Sequence, residues 1–500
     1  MPTGAQRVEV RRGHTRLEGR LTLTSIVLMV VAGAAPLTVV GGPVPLAFAF
    51  GNGAGLPTMF LVTGVILVLF SVGFTEMSRY VPTAGAFYSY AFVGIGRRTG
   101  IGTGYAALLS YFTLYVGMYG LLGPAINSLV TSYGGPSMPW WLWSVLSLLV
   151  VGFVGYQNIE FSGKILAVLL AAEVVIVLVL DAAIVFTAGH GRGFSGGFLS
   201  MSEVLSGAPG VAFLFAVLGF IGFEATVVFR DEARDPERTL PRATYIAVLF
   251  IAIFYSFTSW AMLSGGGEKA IVEASHAAPD AVLPNLAGDY LGQVGADLVR
   301  ILFVTSIFAC VLTFHNVVAR YMFSLANRDL LPAIWSGVHQ RFASPHVASL
   351  TLSAAAIAFI AFGVLAKLDP VSQFYTWLVG LASLGYIALL VVSAASSIVF
   401  FQRRPFLGVG AWRATIAPTL ALIGLVTTLI IVLWNIMVLV GDNAIAAFGV
   451  VVSVIVAFAL GPIVAALRPE AGWEVEISAP ASAPILHAEG AAEVLDPTRQ

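Results

Sequence analysis

The sequence predicts an all-α integral membrane protein with twelve spans, and three observations carry that prediction. Of its 500 residues, 58% are hydrophobic and only 10% charged, with a mean hydropathy of +0.92, whereas soluble domains hold roughly 25% charged residues. The apolar residues gather into runs of the length that crosses a bilayer, about 20 residues of helix. Two of these runs are interrupted by Gly and Pro at corresponding places in two halves of the chain, the pattern of a central solute site.

Span 1 (22–50) is too long for one straight helix, and Ala32-Gly33-Ala34-Ala35-Pro36 breaks it, because Pro36 has no amide proton and clashes with the preceding turn. Span 2 (56–79) carries Glu76 near its end, where solvation or loop pairing is expected. Span 3 (101–131) sets Tyr111, Tyr115 and Tyr119 four apart on one face. Span 4 (139–157) leads by a short connection to span 5 (162–188), which holds Glu173 at its middle and Asp181 further on. Span 6 (209–230) contains the second interruption, and span 7 (242–264) follows a charged loop. An outer loop at 265–291, with Glu268, Lys269, Glu273, His276 and Asp280, is expected to act as a partial lid. Spans 8 (294–326), 9 (346–366), 10 (371–400), 11 (414–440) and 12 (443–467) complete the bundle. The tail 468–500 is rich in Ala, Pro and Glu and reads as disordered.

All Lys and Arg except Arg192, Lys269, Arg300 and Lys367 fall on the side of the N-terminal tail, 1–21. That bias puts both termini in the cytoplasm. The Arg-rich start lacks the small-residue cleavage pattern of a secretory signal, so span 1 is expected to remain in the membrane. A net charge of -1 with scattered basic residues argues against a nucleic-acid partner. The single cysteine, Cys310, excludes an intrachain disulfide or a cysteine metal cluster. No nucleotide-binding loop, paired metal ligands or hydrolase nucleophile motif is visible, so neither a cofactor nor an enzyme activity is expected. His14, His190, His276, His339, His346 and His487 fall in tails or loops, where solvated histidines are the rule.

The stretch Leu218 to Arg242 organises the rest. It opens with Gly219, Gly222 and Glu224 in apolar surroundings and closes with eight charges between Arg230 and Arg242. A helix broken inside a bilayer exposes backbone groups that are tolerated only when buried in protein or lining a polar cavity. A zwitterion at such a site is satisfied by half-helix N-termini facing its carboxylate and C-terminal carbonyls facing its ammonium. Amides at Ala35, Leu37 and Thr38 suit the first role, and carbonyls near Leu218, Gly219 and Ile221 the second. Leu218, Ile221 and Phe223 would shape the pocket or its gate.

Three motifs carry a family likeness: GFIGFE at 219–224 followed by DEARDPERTLPRA, EMSRYVPTAGAFYSYAFVGIG at 76–96, and HNVVARYMFSLANRDLLP at 315–332. Over about 20–467 the chain resembles the amino acid–polyamine–organocation (APC) superfamily of secondary transporters. The resemblance implies two inverted five-helix repeats (22–188 and 209–400) with discontinuous helices 1 and 6, plus two terminal helices (414–467). Where the family commonly has a glycine-serine-glycine break, this chain has Gly33-Ala34-Ala35-Pro36-Leu37-Thr38. Ala34 and Gly222, at the two breaks, join the expected substrate contacts; the likeness matches Tyr115 and Tyr119 to pocket-facing positions, matches Phe314 to an aromatic that closes over the substrate, and places Glu224 beside the site.

A carboxylate in the middle of span 5 would cost several kcal/mol unless paired, so Glu173 is the expected proton carrier and Asp181 the reserve. The expected function is proton-coupled import of amino acids or related amines across the inner (cytoplasmic) membrane by alternating access. An exchanger is the nearest alternative. A membrane enzyme or a channel would need a catalytic cluster or pore loops.

Overall fold

Thr22 closes the first turn of span 1 by accepting a hydrogen bond from the Ser25 amide, and from there the chain is helical almost throughout. The computed structural model describes residues 21–81, 86–157, 163–187, 189–191, 193–339, 341, 342 and 344–469. The expected tails therefore lie outside the described residues, apart from Leu21, Arg468 and Pro469, as do residues 82–85 of the second motif. Among the described residues, eleven helices are long and apolar enough to cross a membrane. The expected span 4 is the shorter apolar helix Trp140–Tyr156.

Span 1 is split into α1 (Leu23–Gly33), α2 (Pro36–Gly41) and α3 (Pro43–Phe50). The first break sits where expected. Ala35 is held at φ 45°, a left-handed conformation that costs a non-glycine residue roughly 1 kcal/mol. Span 2 is α4 (Leu56–Met77), and a short helix, α5 (Ala86–Gly94), follows it. Span 3 is two helices, α6 (Arg97–Gly117) and α7 (Tyr119–Ser132), joined at Met118. Span 4 is α8 (Trp140–Tyr156) and span 5 is α9 (Gly163–Phe186). On α9, Val168, Val175, Leu178 and Val179 are exposed while Glu173, Val177, Asp181 and Ile184 are buried. That helix turns its apolar face outward and its acids inward, as a lipid-facing span must.

After the four-residue α10 (Met201–Val204), span 6 is α11 (Pro209–Leu218). It stops at Gly219–Gly222 and resumes as a 3-10 helix over Phe223–Glu232. The charged stretch is more folded than expected. It includes a backbone bond from Arg234 N–H to Leu21 O (3.1 Å) and the start of α12 (Pro236–Gly266). Pro236 at the first helical position and Glu237 in the first turn favour a helix start there. The outer loop likewise contains a helix, α13 (Glu268–Ala277), whose buried Ile271 and Ser275 face the body of the protein. Glu268 anchors it by accepting from Ser195 Oγ (2.6 Å) and Gly197 N–H (3.1 Å), and His276 packs edge-on to Phe50 of α3.

Span 8 is α14 (Val282–Ala326), bent at Gly292 with φ 69°. Span 9 is α15 (His346–Leu365). Span 10 begins with a π-turn, Pro370–Tyr375, and continues as α16 (Thr376–Gln402). Span 11 is α17 (Ala417–Trp434), followed by α18 (Ile436–Leu439), and span 12 is α19 (Ala444–Leu467). The two broken spans meet at their interruptions. A side chain added at Gly222 would lie 3.6 Å from the Gly33 carbonyl carbon, and one at Gly219 only 2.9 Å from the Tyr255 ring. Bare backbone is thus buried in protein, as a break inside a membrane requires.

Candidate functional site

The site is built where spans 1 and 6 lose their helical bonds. Ala35 N–H turns back to Ala32 O (3.0 Å), and Leu37 N–H points at Glu173 Oε2 (3.4 Å). Of the three amides expected to face a substrate, this leaves Thr38. The same Glu173 oxygen accepts from Ser306 Oγ (2.9 Å), which in turn accepts from Thr38 Oγ1 (2.9 Å). Glu173, Thr38 and Ser306 are all buried. One carboxylate thus sits on the N-terminus of α2, where the helix dipole favours a negative charge, and links spans 5, 1 and 8. Asp181 lies apart from this cluster. It is fully buried, and its Oδ2 accepts from Thr258 Oγ1 of α12 (2.7 Å).

Across the cavity, the end of α11 is held by tight turns: Gly219 N–H to Ala216 O (3.1 Å), Phe220 N–H to Val217 O (3.0 Å) and Ile221 N–H to Leu218 O (3.1 Å). The carbonyls of Gly219 and Ile221 accept none of these turn bonds. Glu224 caps the resumed helix. Its Oε2 accepts from Gly222 N–H (2.9 Å) and Tyr386 OH (2.6 Å), and its Oε1 from Tyr111 OH (2.7 Å). The acid ties the span 6 break to spans 3 and 10, and it lies beside the cavity rather than in its wall.

The cavity itself is lined from span 1 by Gly33, Ala34, Ala35, Thr38, Val39 and Pro43, and from span 6 by Leu218 and Ile221. Spans 3, 8 and 10 add Leu114, Met118, Cys310, Phe314 and Tyr375. Water centres can occupy about 20 Å³ of it, room for a single water. In this conformation nothing much larger than a water fits. Phe314 forms part of the wall and stacks on Tyr111 at 6.1 Å.

The structure places several expected site residues elsewhere. Gly222 lies against the Gly33 backbone and Gly219 against the Tyr255 ring. The tyrosine stripe of span 3 divides between Tyr111, which bonds to Glu224, and the pair Tyr115 and Tyr119. Tyr119 OH donates to Tyr115 OH (3.3 Å), Tyr115 OH meets His315 Nδ1 (3.1 Å), and His315 Nε2 meets Ser349 Oγ (2.8 Å). His315 is fully buried against Gly155 of α8. This chain joins spans 3, 4, 8 and 9 away from the cavity. Sequence reading missed Gly33, Val39, Pro43, Leu114, Met118, Cys310 and Tyr375 as wall residues. Cys310 stands one helical turn before Phe314, a spacing that could have found it. Tyr375 had no such signal.

Comparison with known proteins places the chain in a family. The profile described as "Amino acid permease" matches residues 19–460, and the chain belongs to that family, whose members are transporters. It is similar to the low-affinity putrescine importer of Escherichia coli (strain K12), 25% identical over 376 residues, covering 71% of this chain and 76% of that protein. It is also similar to the serine/threonine exchanger of Bacillus subtilis (strain 168), 26% identical over 332 residues, covering 64% and 71%. The branched-chain amino acid permease of the same organism is 23% identical over 410 residues, covering 77% and 80%. With its apolar helices, the chain is a multi-pass membrane protein and an amino acid transporter.

Proposed function

We propose that this permease imports its amino acid across the cytoplasmic membrane together with protons, opening the cavity between the broken spans to each side in turn. Both termini then lie in the cytoplasm, as the basic-residue bias requires. The segments 22–188 and 209–400 work as inverted five-span repeats, with 414–467 as a terminal pair. The relatives named for putrescine, for serine and threonine, and for branched-chain amino acids set the range of substrates to consider.

The single observation that carries the coupling is the place of Glu173, behind the span 1 break and bonded to Leu37 N–H and Ser306 Oγ. An ionised carboxylate holds both donors and is favoured by the α2 dipole. A proton arriving there removes the charge that both donors and the dipole hold, which loosens spans 5, 1 and 8 from one another. Substrate would then be taken by the Thr38 amide and hydroxyl at its carboxylate and by the Gly219 and Ile221 carbonyls at its ammonium. Glu224, bonded to Tyr111 and Tyr386, would transmit occupancy of the span 6 break to spans 3 and 10. Asp181 is the second candidate for the proton.

The test is Glu173→Gln in proteoliposomes. The variant should bind substrate within about threefold of the native protein and continue exchange, yet accumulate nothing when a pH gradient is imposed. Native accumulation by the variant assigns the proton elsewhere, first to Asp181.

A further inference from the structure

The cavity wall contains no ionisable carboxylate, ammonium or guanidinium. Its side chains are aliphatic, aromatic or sulfur-bearing, with only the hydroxyls of Thr38 and Tyr375 as oxygen-bearing groups. Two acids stand close by, and both are already engaged. Glu173 holds Leu37 N–H and Ser306 Oγ. Glu224 accepts from Gly222, Tyr111 and Tyr386. A substrate carrying a second ammonium, such as a lysine side chain or a diamine, would find no counter-charge, and an unpaired charge inside a membrane protein is very costly. A second carboxylate would fare no better.

One wall group stands out. The Tyr375 hydroxyl is completely buried and has no hydrogen-bond partner, although buried phenols almost always find one. Tyr375 is the last residue of the π-turn that opens span 10, an irregularity that recurs at functional positions. It lines the cavity alongside Cys310 and Phe314.

We infer that this cavity takes an α-amino acid with an uncharged, apolar side chain, and that the Tyr375 hydroxyl is a polar anchor for its carboxylate. The inference rests on the reading that the space between the two breaks is the substrate site. The side chain lies against Val39, Leu114, Met118, Ile221 and Phe314, where apolar burial drives binding and charge is excluded. Tyr375 adds a donor from span 10 opposite the Thr38 amide, so that two different elements grip one carboxylate. Gly33 sets the size limit. A methyl added there meets nothing within 4 Å, so it would fill only the cavity.

The experiment is binding of radiolabelled L-leucine to the purified full chain, competed by L-isoleucine, L-valine, L-alanine, L-lysine, L-glutamate and putrescine. The apolar amino acids should compete, with lysine, glutamate and putrescine at least a hundredfold weaker. Tyr375→Phe should weaken L-leucine about tenfold, the loss of one hydrogen bond to a charged group. Gly33→Ala should weaken L-leucine more than L-alanine. Competition by lysine, glutamate or putrescine within tenfold of leucine overturns the substrate class, as does absence of leucine binding by protein that remains monodisperse. Leucine binding that neither Tyr375→Phe nor Gly33→Ala changes overturns the reading of the cavity itself, because the substrate then sits elsewhere.

Discussion

Three buried polar clusters in this permease look alike and differ in what they join. The His315 chain runs from Tyr119 through Tyr115 to Ser349 and connects spans 3, 8 and 9 through side chains alone. The Glu173 and Glu224 clusters instead connect a continuous helix to the end of a broken one, at Leu37 in span 1 and at Gly222 in span 6. Donors at a half-helix end are free backbone groups that can accept a different partner, such as a substrate carboxylate, when the geometry shifts. The groups of the His315 chain are side chains, and none of them is an exposed backbone end. Burial and polarity alone therefore do not tell these clusters apart; a bond to interrupted backbone does.

That contrast can be broken by substitution. The largest effect is expected for Glu224→Ala, which strands three donors at once and should cost about 4 kcal/mol of stability with transport lost. A variant that unfolds in urea like the native protein would put Glu224 outside the load-carrying contacts. His315→Ala should cost about 3 kcal/mol, through an internal cavity and the unpaired Tyr115 and Ser349 hydroxyls. The folded fraction should still bind substrate with native affinity; a selective loss of affinity would make the His315 chain part of the site and erase the distinction drawn here. Ala35→Val forces a β-branched residue into a left-handed conformation and should cost about 2 kcal/mol. Ala35→Gly should change stability by less than about 1 kcal/mol, and equal melting temperatures for the two variants would show that the break is not held at φ 45° in the membrane. The smallest effect is expected for Arg413→Ala. Arg413 pairs with Glu76 at 3.4 Å with its side chain 60% exposed, so about 0.5 kcal/mol is at stake, diminishing further with salt.

Much of this was legible in the chain. Pro36 after two alanines and the glycines at 219 and 222 forced breaks, because a proline without an amide proton and glycines without side chains weaken helices wherever they stand. Glu173 and Asp181 could be picked out because a carboxylate in the middle of an apolar run must turn inward. The choice of Tyr115 and Tyr119 as pocket residues shows the limit. The family likeness suggested that role, and spacing alone fixes a shared face but not what it meets: the pair bonds to each other and to His315, while Leu114 and Met118 line the cavity. The helix within 265–291 was hidden for a related reason, since a stretch of mixed polarity reads as loop until α3 offers its apolar side a place to pack.

By itself, then, the sequence determined the membrane spans, their two interruptions and the acids that cannot face lipid. Each follows from a local cost that no packing arrangement removes: exposed charge, a missing amide proton, an unsupported backbone. Only the tertiary structure decided that Glu173 reaches Leu37 from 136 residues away, that Glu224 gathers Tyr111 and Tyr386, and that Tyr375 lines the cavity. Those pairings depend on how helices cross, which is set by the sum of many weak contacts between distant segments and is written in no single stretch of the chain.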